Sequence, residues 1–259
     1  MDKQKLEIEF LGTGTSTGVP QIRCNCEVCR STDTHDKRLR TSAIVRYQGK
    51  CLLIDCGPDF RTQMLRAYDD RIDALLITHF HYDHVGGIDD LRAYCAPDHK
   101  FPIYAKTDVI DDLHRRMPYC FAEHLYPGVP TFEIHEIGAE PFSAEGVEVT
   151  PIPVMHYKLP INGYRIGPLA YITDCKTIAD EQIDSLKGIP LLVINALRIE
   201  EHLSHLSLSE SIEVARRIAP GRTIFIHCSH DMGLHSQVNA QLPEGFELAH
   251  DGQIITVEV

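Results

Sequence analysis

Four potential metal ligands follow one another at the end of a single predicted strand. The strand is the apolar run Ala74 to Thr78, and the ligands are His79, His81, Asp83 and His84. In an extended chain His79 and His81 point the same way, whereas Asp83 and His84 follow in a predicted turn that can direct them to a second point. Neutral imidazole and carboxylate are ligands that zinc and manganese accept. The density and order of these residues favour ligands for two adjacent ions over a solvated loop.

Three later segments are expected to supply further ligands, because four residues cannot complete the coordination of two ions. His156, Asp174 and His227 each follow or end a short run of apolar residues. Each one alone is typical of an ordinary strand end. Together they predict that hydrophobic strands deliver distant side chains to one edge of a sandwich.

Short runs of β-branched and aromatic residues predict strands early and late in the chain, with helices between them. The predicted strands are Leu6–Leu11, Ala43–Tyr47, Cys51–Asp55, Ala74–Thr78, Ile103–Ala105, Glu148–Ile152, Leu169–Thr173, Leu191–Asn195, Thr223–His227 and Ile254–Val257. The predicted helices are Asp59–Tyr68, Asp108–Met117 and Leu208–Ile218. This order is typical of the α/β (α+β) class, as an αββα sandwich of two mixed β-sheets with helices on the outer faces. No low-complexity linker or internal repeat appears, so residues 1–259 are predicted to form a single domain.

A second candidate metal site is a cluster of three cysteines, Cys24, Cys26 and Cys29. Their C-x-C-x-x-C spacing is tight enough to surround one ion, and a closed tetrahedral zinc site needs a fourth ligand. His230, three residues after His227, is the candidate. The alternative is three unrelated buried cysteines. We predict a structural zinc that joins the N-terminal loop to the strand end carrying His227.

Charge and cysteine usage limit the partners and the compartment. The formal net charge is −12, and an acidic surface weakens the attraction that nucleic-acid binders rely on. A long nucleic acid is therefore an unexpected substrate. Nine cysteines, an odd number and mostly scattered, favour a reducing, cytoplasmic setting over a disulfide framework. The sequence contains no long apolar run, so we expect no signal peptide, no membrane helix and no other association with a membrane.

The ligand pattern resembles the metallo-β-lactamase superfamily over nearly the whole chain. The matching residues, in chain order, are His79, His81, Asp83, His84, His156, Asp174 and His227. The resemblance implies that His79, His81 and His156 hold one ion. It also implies that Asp83, His84 and His227 hold the other, and that Asp174 bridges the two. An aspartate at the bridging position is similar to the phosphodiesterase and glyoxalase branches, whereas β-lactamases usually place a cysteine nearby, for which Cys175 is the nearest equivalent here.

The cysteine cluster narrows this resemblance. Together with His227-Cys228-Ser229-His230, it resembles the phosphoribosyl 1,2-cyclic phosphate phosphodiesterases of the carbon-phosphorus lyase pathway, which hold a structural zinc on the matching residues. The resemblance implies a small phosphorylated substrate, such as a cyclic ribose phosphate, and a homodimer. It also implies that His205 gives a proton to the leaving group.

The expected function is hydrolysis of a small phosphodiester by a hydroxide that bridges two divalent ions, manganese or zinc. Asp83 and His205 are the expected catalytic residues, and Asp55 is expected to hydrogen-bond a ligating imidazole. Three alternatives stay open. They are a transfer-RNA 3′-processing endoribonuclease, a glyoxalase-type thioesterase, and a metal-binding module without catalytic activity. The first is disfavoured because no basic arm rich in glycine and proline is found.

Overall fold

The computed structural model describes residues 5–67, 71–96 and 99–258, and within them the chain forms two seven-stranded β-sheets. In spatial order, the strands of the first sheet are β14 (Ile254–Glu258), β1 (Lys5–Gly12), β2 (Ser42–Tyr47), β3 (Lys50–Ile54), β4 (Ala74–Leu76), β5 (Phe101–Ala105) and β6 (Phe132–Glu136). Those of the second sheet are β13 (Phe246–Leu248), β12 (Arg222–Ile226), β11 (Leu191–Asn195), β10 (Leu169–Ile172), β9 (Leu159–Ile166), β8 (Val147–His156) and β7 (Phe142–Ala144).

Both sheets are mixed in the same way. From β14 to β3 and from β7 to β10 neighbouring strands are antiparallel. From β3 to β6 and from β10 to β13 they are parallel. Because the carboxyl ends of parallel strands lie at one edge of a sheet, residues that follow β3, β4, β10 and β12 are brought toward a common rim.

Helices pack on the outer faces of the sheets, except for the first one, whose buried residues Val28 and Cys29 belong to a small separate cluster. They are α1 (Glu27–Arg30), α2 (Phe60–Ala67), α3 (Tyr82–Val85), α4 (Thr107–Arg116), α5 (Asp180–Ser185), α6 (Leu208–Ile218) and α7 (His235–Asn239). Ser207 begins α6 with a capping box, in which its side chain accepts from the Glu210 backbone and the Glu210 carboxylate accepts in return. Ala219, in a left-handed conformation, ends the same helix before Pro220.

Alternating side chains of the strands fill three apolar layers. In β11, Leu191 and Val193 lie in the core between the two sheets, whereas Leu192 and Ile194 pack under the helices of the second sheet. A third cluster, including Phe60 and Val109, lies between the first sheet and its helices. Strands buried on both faces are nearly continuous apolar runs, as the sequence has them. The αββα sandwich of two mixed sheets is therefore confirmed.

The predicted elements are found, with corrections at their ends. The strand that precedes His156 is longer than predicted, because β8 runs through Pro151 and Pro153 to His156 itself. Both prolines fit because proline lacks only its own N–H group. The residues on either side of each proline still pair with β9, and β7 pairs with β8 only as far as Val149. Asp83 and His84 lie in the short helix α3 rather than in a turn. Tyr68, the last residue of one predicted helix, lies outside the described residues.

None of the helices in residues 5–67, 71–96 and 99–258 has the length and apolarity that crossing a membrane would need.

Candidate metal centre

The strand β4 carries the first ligands into the site. The chain stays extended after Leu76, so that His79 is buried and His81 is half-buried at the start of α3. The His79 Nε2 atom lies 3.0 Å from the His81 Nδ1 atom. One turn of α3 then places Asp83 and His84 among buried residues behind them. Because the chain changes from strand to helix within this segment, its four side chains approach the site from two directions.

The structure brings together all seven residues that the sequence predicts as ligands of two ions. One group consists of His79, His81 and His156, and the other of Asp83, His84, Asp174 and His227. In each group every member offers a ligand atom within 4.8 Å of the others. We call these seven residues the imidazole–carboxylate cluster.

Asp174, a member of the second group, also faces the first. Its Oδ1 atom is 3.4 Å from His84 Nε2 and 3.2 Å from His227 Nδ1. Its Oδ2 atom is 3.8 Å from His79 Nε2 and 3.2 Å from His205 Nε2. One carboxylate oxygen therefore faces each group, which is the arrangement that a bridging ligand requires.

Three residues at the ends of strands turn into the site through an uncommon backbone conformation. Asp55 follows β3, Asp174 follows β10 and His227 follows β12, with φ of 60°, 55° and 58°. The left-handed region is sparsely used by residues other than glycine, and each such residue costs about 1 to 3 kcal/mol. The surrounding hydrogen bonds and packing of a functional site hold these residues in that conformation.

The buried imidazole of His84 supports the fit of a cation. Its Nδ1 atom donates to Asp55 Oδ2 at 2.7 Å, which is the predicted contact of Asp55 with a ligating imidazole. Its Nε2 atom is buried and, among the residues described, makes no hydrogen bond of normal geometry, although carboxylate oxygens lie 3.2 and 3.4 Å away. A buried nitrogen without a partner costs free energy unless something occupies it. Here the atom faces Asp83 and Asp174, as a metal ligand would.

The pKa values of the buried imidazoles and carboxylates also support a cation in this cluster. Burial lowers the pKa of His79 well below its usual value and that of His227 to about 4. Burial alone would raise the pKa of Asp174, but the His227 and His84 imidazoles hold it well below its usual value. For His84, burial acts to lower the pKa, and the Asp174, Asp83 and Asp55 carboxylates raise it well above its usual value. The carboxylates around His84 therefore favour a positive charge beside this imidazole, and a divalent cation would supply it.

His205 lies at the mouth of the cluster, where the resemblance places a proton donor. Besides the contact of its Nε2 atom with Asp174, its Nδ1 atom lies 2.9 Å from Ser204 Oγ and 3.2 Å from His202 Nδ1. His156 Nδ1 donates to the Ser204 carbonyl at 2.9 Å. One loop thus orients both His205 and a predicted ligand.

Several residues that contact the site were not found from the sequence. Thr15 Oγ1 lies 3.2 Å from His227 Nε2, and Thr41 Oγ1 lies 3.1 Å from His227 Nδ1. Ser204 acts through its carbonyl and its hydroxyl. Serine and threonine are common in loops, and no spacing distinguishes these three residues, so only the tertiary structure identifies them.

The cysteine cluster is also assembled. Cys24, Cys26, Cys29 and His230 offer ligand atoms within 4.8 Å of one another, and His230 Nδ1 is 3.5 Å from Cys26 Sγ. The backbone of Gln21 donates to Cys29 Sγ at 3.3 Å, and burial raises the pKa of Cys29 to about 11. Three thiols and one imidazole suit a closed tetrahedral zinc site.

The loop that carries the cysteines is joined to the end of β12. The Cys228 backbone donates to the Thr13 carbonyl at 2.9 Å, and the Thr15 backbone donates to the Cys228 carbonyl at 3.1 Å. His227 and His230, on either side of Cys228, belong to different clusters. The two candidate metal sites therefore share one segment of chain.

Comparison with known proteins places this geometry in a family. The model of the β-lactamase superfamily domain matches residues 50–228. A crystal structure described as a new diphosphatase from the PhnP family is 39% identical, with a TM-score of 0.92 and 98% of both chains covered. A protein of Porphyromonas gingivalis named octanoyltransferase is 45% identical over 246 residues, which are 94% of this chain and 50% of that protein. The chain thus spans half the length of that relative.

A more distant relative bears on the endonuclease alternative. A protein of Acaryochloris marina named ribonuclease Z is 29% identical over 167 residues, which are 62% of this chain and 47% of that protein.

Proposed function

Since this chain belongs to the metallo-β-lactamase superfamily, we propose that it is a metal-dependent hydrolase that cleaves a small phosphodiester, with a cyclic ribose phosphate as the first candidate. The observation that carries the proposal is the position of Asp174, whose Oδ1 atom faces His84 in its own group and whose Oδ2 atom faces His79 in the other. A carboxylate that presents one oxygen to each group of ligands suits a pair of ions.

The residues divide into two coordination sets. His79, His81 and His156 would hold one divalent cation, zinc or manganese, and Asp83, His84 and His227 would hold the other, with Asp174 shared. When bound, such a pair lowers the pKa of water and stabilises negative charge on the attacking and leaving oxygens. The structural zinc would occupy the cysteine cluster.

Two residues of the chain would move protons. The Asp83 carboxylate, buried and with Oδ2 3.2 Å from His84 Nε2, would orient the attacking water and accept its proton. The imidazole of His205 would give a proton to the departing sugar oxygen. Its Nδ1 side is occupied by Ser204 and His202, so the Nε2 side is the one presented to the cluster.

A diphosphate is the second candidate substrate, favoured by the similarity to the PhnP-family diphosphatase. Both reactions displace an oxygen from phosphorus, but the leaving groups differ. A sugar alkoxide is a poor leaving group and needs a proton, whereas a phosphate leaves readily without one. The dependence on His205 therefore distinguishes the two reactions.

The test is a panel of substrates assayed with manganese and with zinc. It contains bis(p-nitrophenyl) phosphate, a cyclic ribose phosphate, ADP-ribose, a transfer-RNA precursor and S-lactoylglutathione. We expect the small phosphorylated compounds to react and the thioester and the RNA to remain intact. Preferred turnover of the thioester or the RNA would reject the proposal.

His205→Ala sharpens the same test. We expect a loss of about 100-fold or more for the cyclic ribose phosphate, with bis(p-nitrophenyl) phosphate almost unaffected because p-nitrophenolate leaves without a proton. An equal loss for both substrates would remove the role of His205 as a proton donor.

A further inference from the structure

Arg40 lies beside the imidazole–carboxylate cluster and has no role in the mechanism above. It directly precedes Thr41, whose hydroxyl contacts the ring of His227. Gly57 lies between the Cβ atom of Arg40 and the backbone of Asp83. A Cβ atom added to Gly57 would be 3.6 Å from Arg40 Cβ and 2.0 Å from the Asp83 carbonyl oxygen. Arg40 is therefore packed at the edge of the half of the site that contains Asp83 and His227.

The guanidinium of Arg40 is held by two neighbouring loops. Its Nε atom donates to the Ser16 carbonyl at 3.1 Å, and its Nη1 atom donates to Asp59 Oδ1 at 3.0 Å and Oδ2 at 3.1 Å. Asp59 Oδ2 also accepts from the Arg40 backbone at 2.9 Å. The Arg40 side chain is thus fixed at both its base and its tip.

One part of the guanidinium is left available. Within the residues that the structure describes, the Nη2 atom donates to no acceptor, and the side chain is 29% exposed. An arginine that serves only as an ion-pair partner tends to direct two parallel N–H groups at the carboxylate. Arg40 instead uses Nη1 for Asp59 and Nε for Ser16, so that Nη2 has no acceptor among the described residues.

We propose that Arg40 binds a second anionic group of the substrate, next to the phosphoryl group that is hydrolysed. This inference rests on the proposed function for the location of the scissile group. A rigid guanidinium recognises phosphate oxygens better than a flexible ammonium does, because its donors are planar and fixed in direction. The substrate class is therefore a diphosphate, or a phosphodiester that carries a further phosphate.

Arg46 provides a matched control. It is on β2, four residues from the end that faces the site, and its side chain is 30% exposed. It also pairs with carboxylates, those of Glu7 and Glu9. Arg46→Gln removes the same charge from a position six residues further along the chain, away from the cluster.

The experiment measures binding separately from turnover. The affinities of inorganic pyrophosphate and inorganic phosphate for the metal-loaded protein are compared by titration calorimetry in wild type, Arg40→Gln and Arg46→Gln. We expect Arg40→Gln to weaken pyrophosphate binding roughly 10- to 100-fold, and phosphate binding by less than about threefold. Arg46→Gln should change neither by more than about threefold. Equal weakening of both anions in Arg40→Gln, or unchanged pyrophosphate binding, would overturn the proposal.

Two further measurements cover the remaining outcomes. In kinetics, Arg40→Gln should raise KM for ADP-ribose more than KM for bis(p-nitrophenyl) phosphate, which has a single phosphoryl group, and a uniform change would count against recognition. If Arg40→Gln does not fold, Arg40→Lys is used instead, because it keeps the charge but loses the planar guanidinium. Its pyrophosphate affinity should be lower than that of the wild type. Wild-type affinity in Arg40→Lys would reject the proposal. If no phosphorylated substrate is turned over, the proposed function fails, whereas the calorimetric comparison still decides the role of Arg40.

Discussion

The two candidate metal sites are built in opposite ways. The imidazole–carboxylate cluster collects residues from the ends of strands in both sheets and buries most of them. The cysteine cluster takes three ligands from six consecutive residues around α1 and only His230 from a distance, and it is partly exposed. The first depends on the whole sandwich, and the second mainly on one loop.

The difference extends to the residues that orient the ligands. In the imidazole–carboxylate cluster, His84 is held by Asp55, His227 by Thr15 and Thr41, and His156 by the Ser204 carbonyl. In the cysteine cluster, apart from the contact of Cys26 Sγ with His230, the thiols of Cys26 and Cys29 accept hydrogen bonds from the local backbone. A catalytic site needs such supporting contacts because its open positions must keep their geometry, whereas a closed site is held by the ion itself. The following experiments test this contrast.

The largest effect is expected for His81→Ala. Loss of a proposed direct ligand should lower kcat/KM by about 1000-fold or more, with the fold retained because this side chain is only half-buried. Turnover and circular dichroism measure the two effects. His135→Ala, which removes another partly exposed imidazole away from the cluster, is the control and should be active. Substantial activity in His81→Ala would contradict the binuclear site.

Cys26→Ser should act on stability rather than directly on catalysis. Metal analysis should find about one zinc fewer per chain, and the melting temperature should fall because metal binding contributes to folding free energy. Activity should fall less than in His81→Ala, through the segment that joins His227 to His230. Cys95→Ser, which replaces a cysteine outside the cluster, should keep its zinc. An unchanged zinc content in Cys26→Ser would remove the structural site.

Asp55→Asn tests the support behind His84. Asparagine tolerates the left-handed backbone at this position, but it lacks the charge that holds the His84 N–H. Metal affinity should fall about 10- to 100-fold, as measured by competition with a chelator. The zinc of the cysteine cluster should be unaffected. Loss of both metals to the same extent would mean that Asp55 supports the fold and not the ligand.

Thr41→Val should have the smallest effect. It removes the hydroxyl that donates to the Gly14 carbonyl at 2.8 Å and contacts His227, so we expect a loss of about 1 kcal/mol in the free energy of unfolding. Metal affinity should fall by less than in Asp55→Asn. Chemical denaturation and metal titration measure the two effects. Thr41→Ser, which keeps the hydroxyl, should resemble wild type, and an equal loss in both variants would point to packing instead.

Much of the site could be predicted because its residues are marked by local patterns. His79, His81, Asp83 and His84 follow one apolar run, and the three cysteines are close in sequence. Asp55 was expected to contact a ligating imidazole, and its bond to His84 is observed. The strands β6, β7, β9 and β13 are not predicted. Three of them are short, and β9 contains Pro160, Asn162 and Gly163, which are uncommon in strands, so pairing with neighbouring strands defines them.

The sequence by itself determined which residue types are available as ligands, their order along the chain, and the alternation that builds a two-sheet sandwich. These are local properties, set by side-chain chemistry and by the period of a strand. The tertiary structure decided that Asp174 faces both ligand groups, that Ser204 connects His156 with His205, and that Ser16 and Asp59 hold the guanidinium of Arg40. Such relations depend on strand register and on contacts between residues far apart in the chain, which no local spacing encodes.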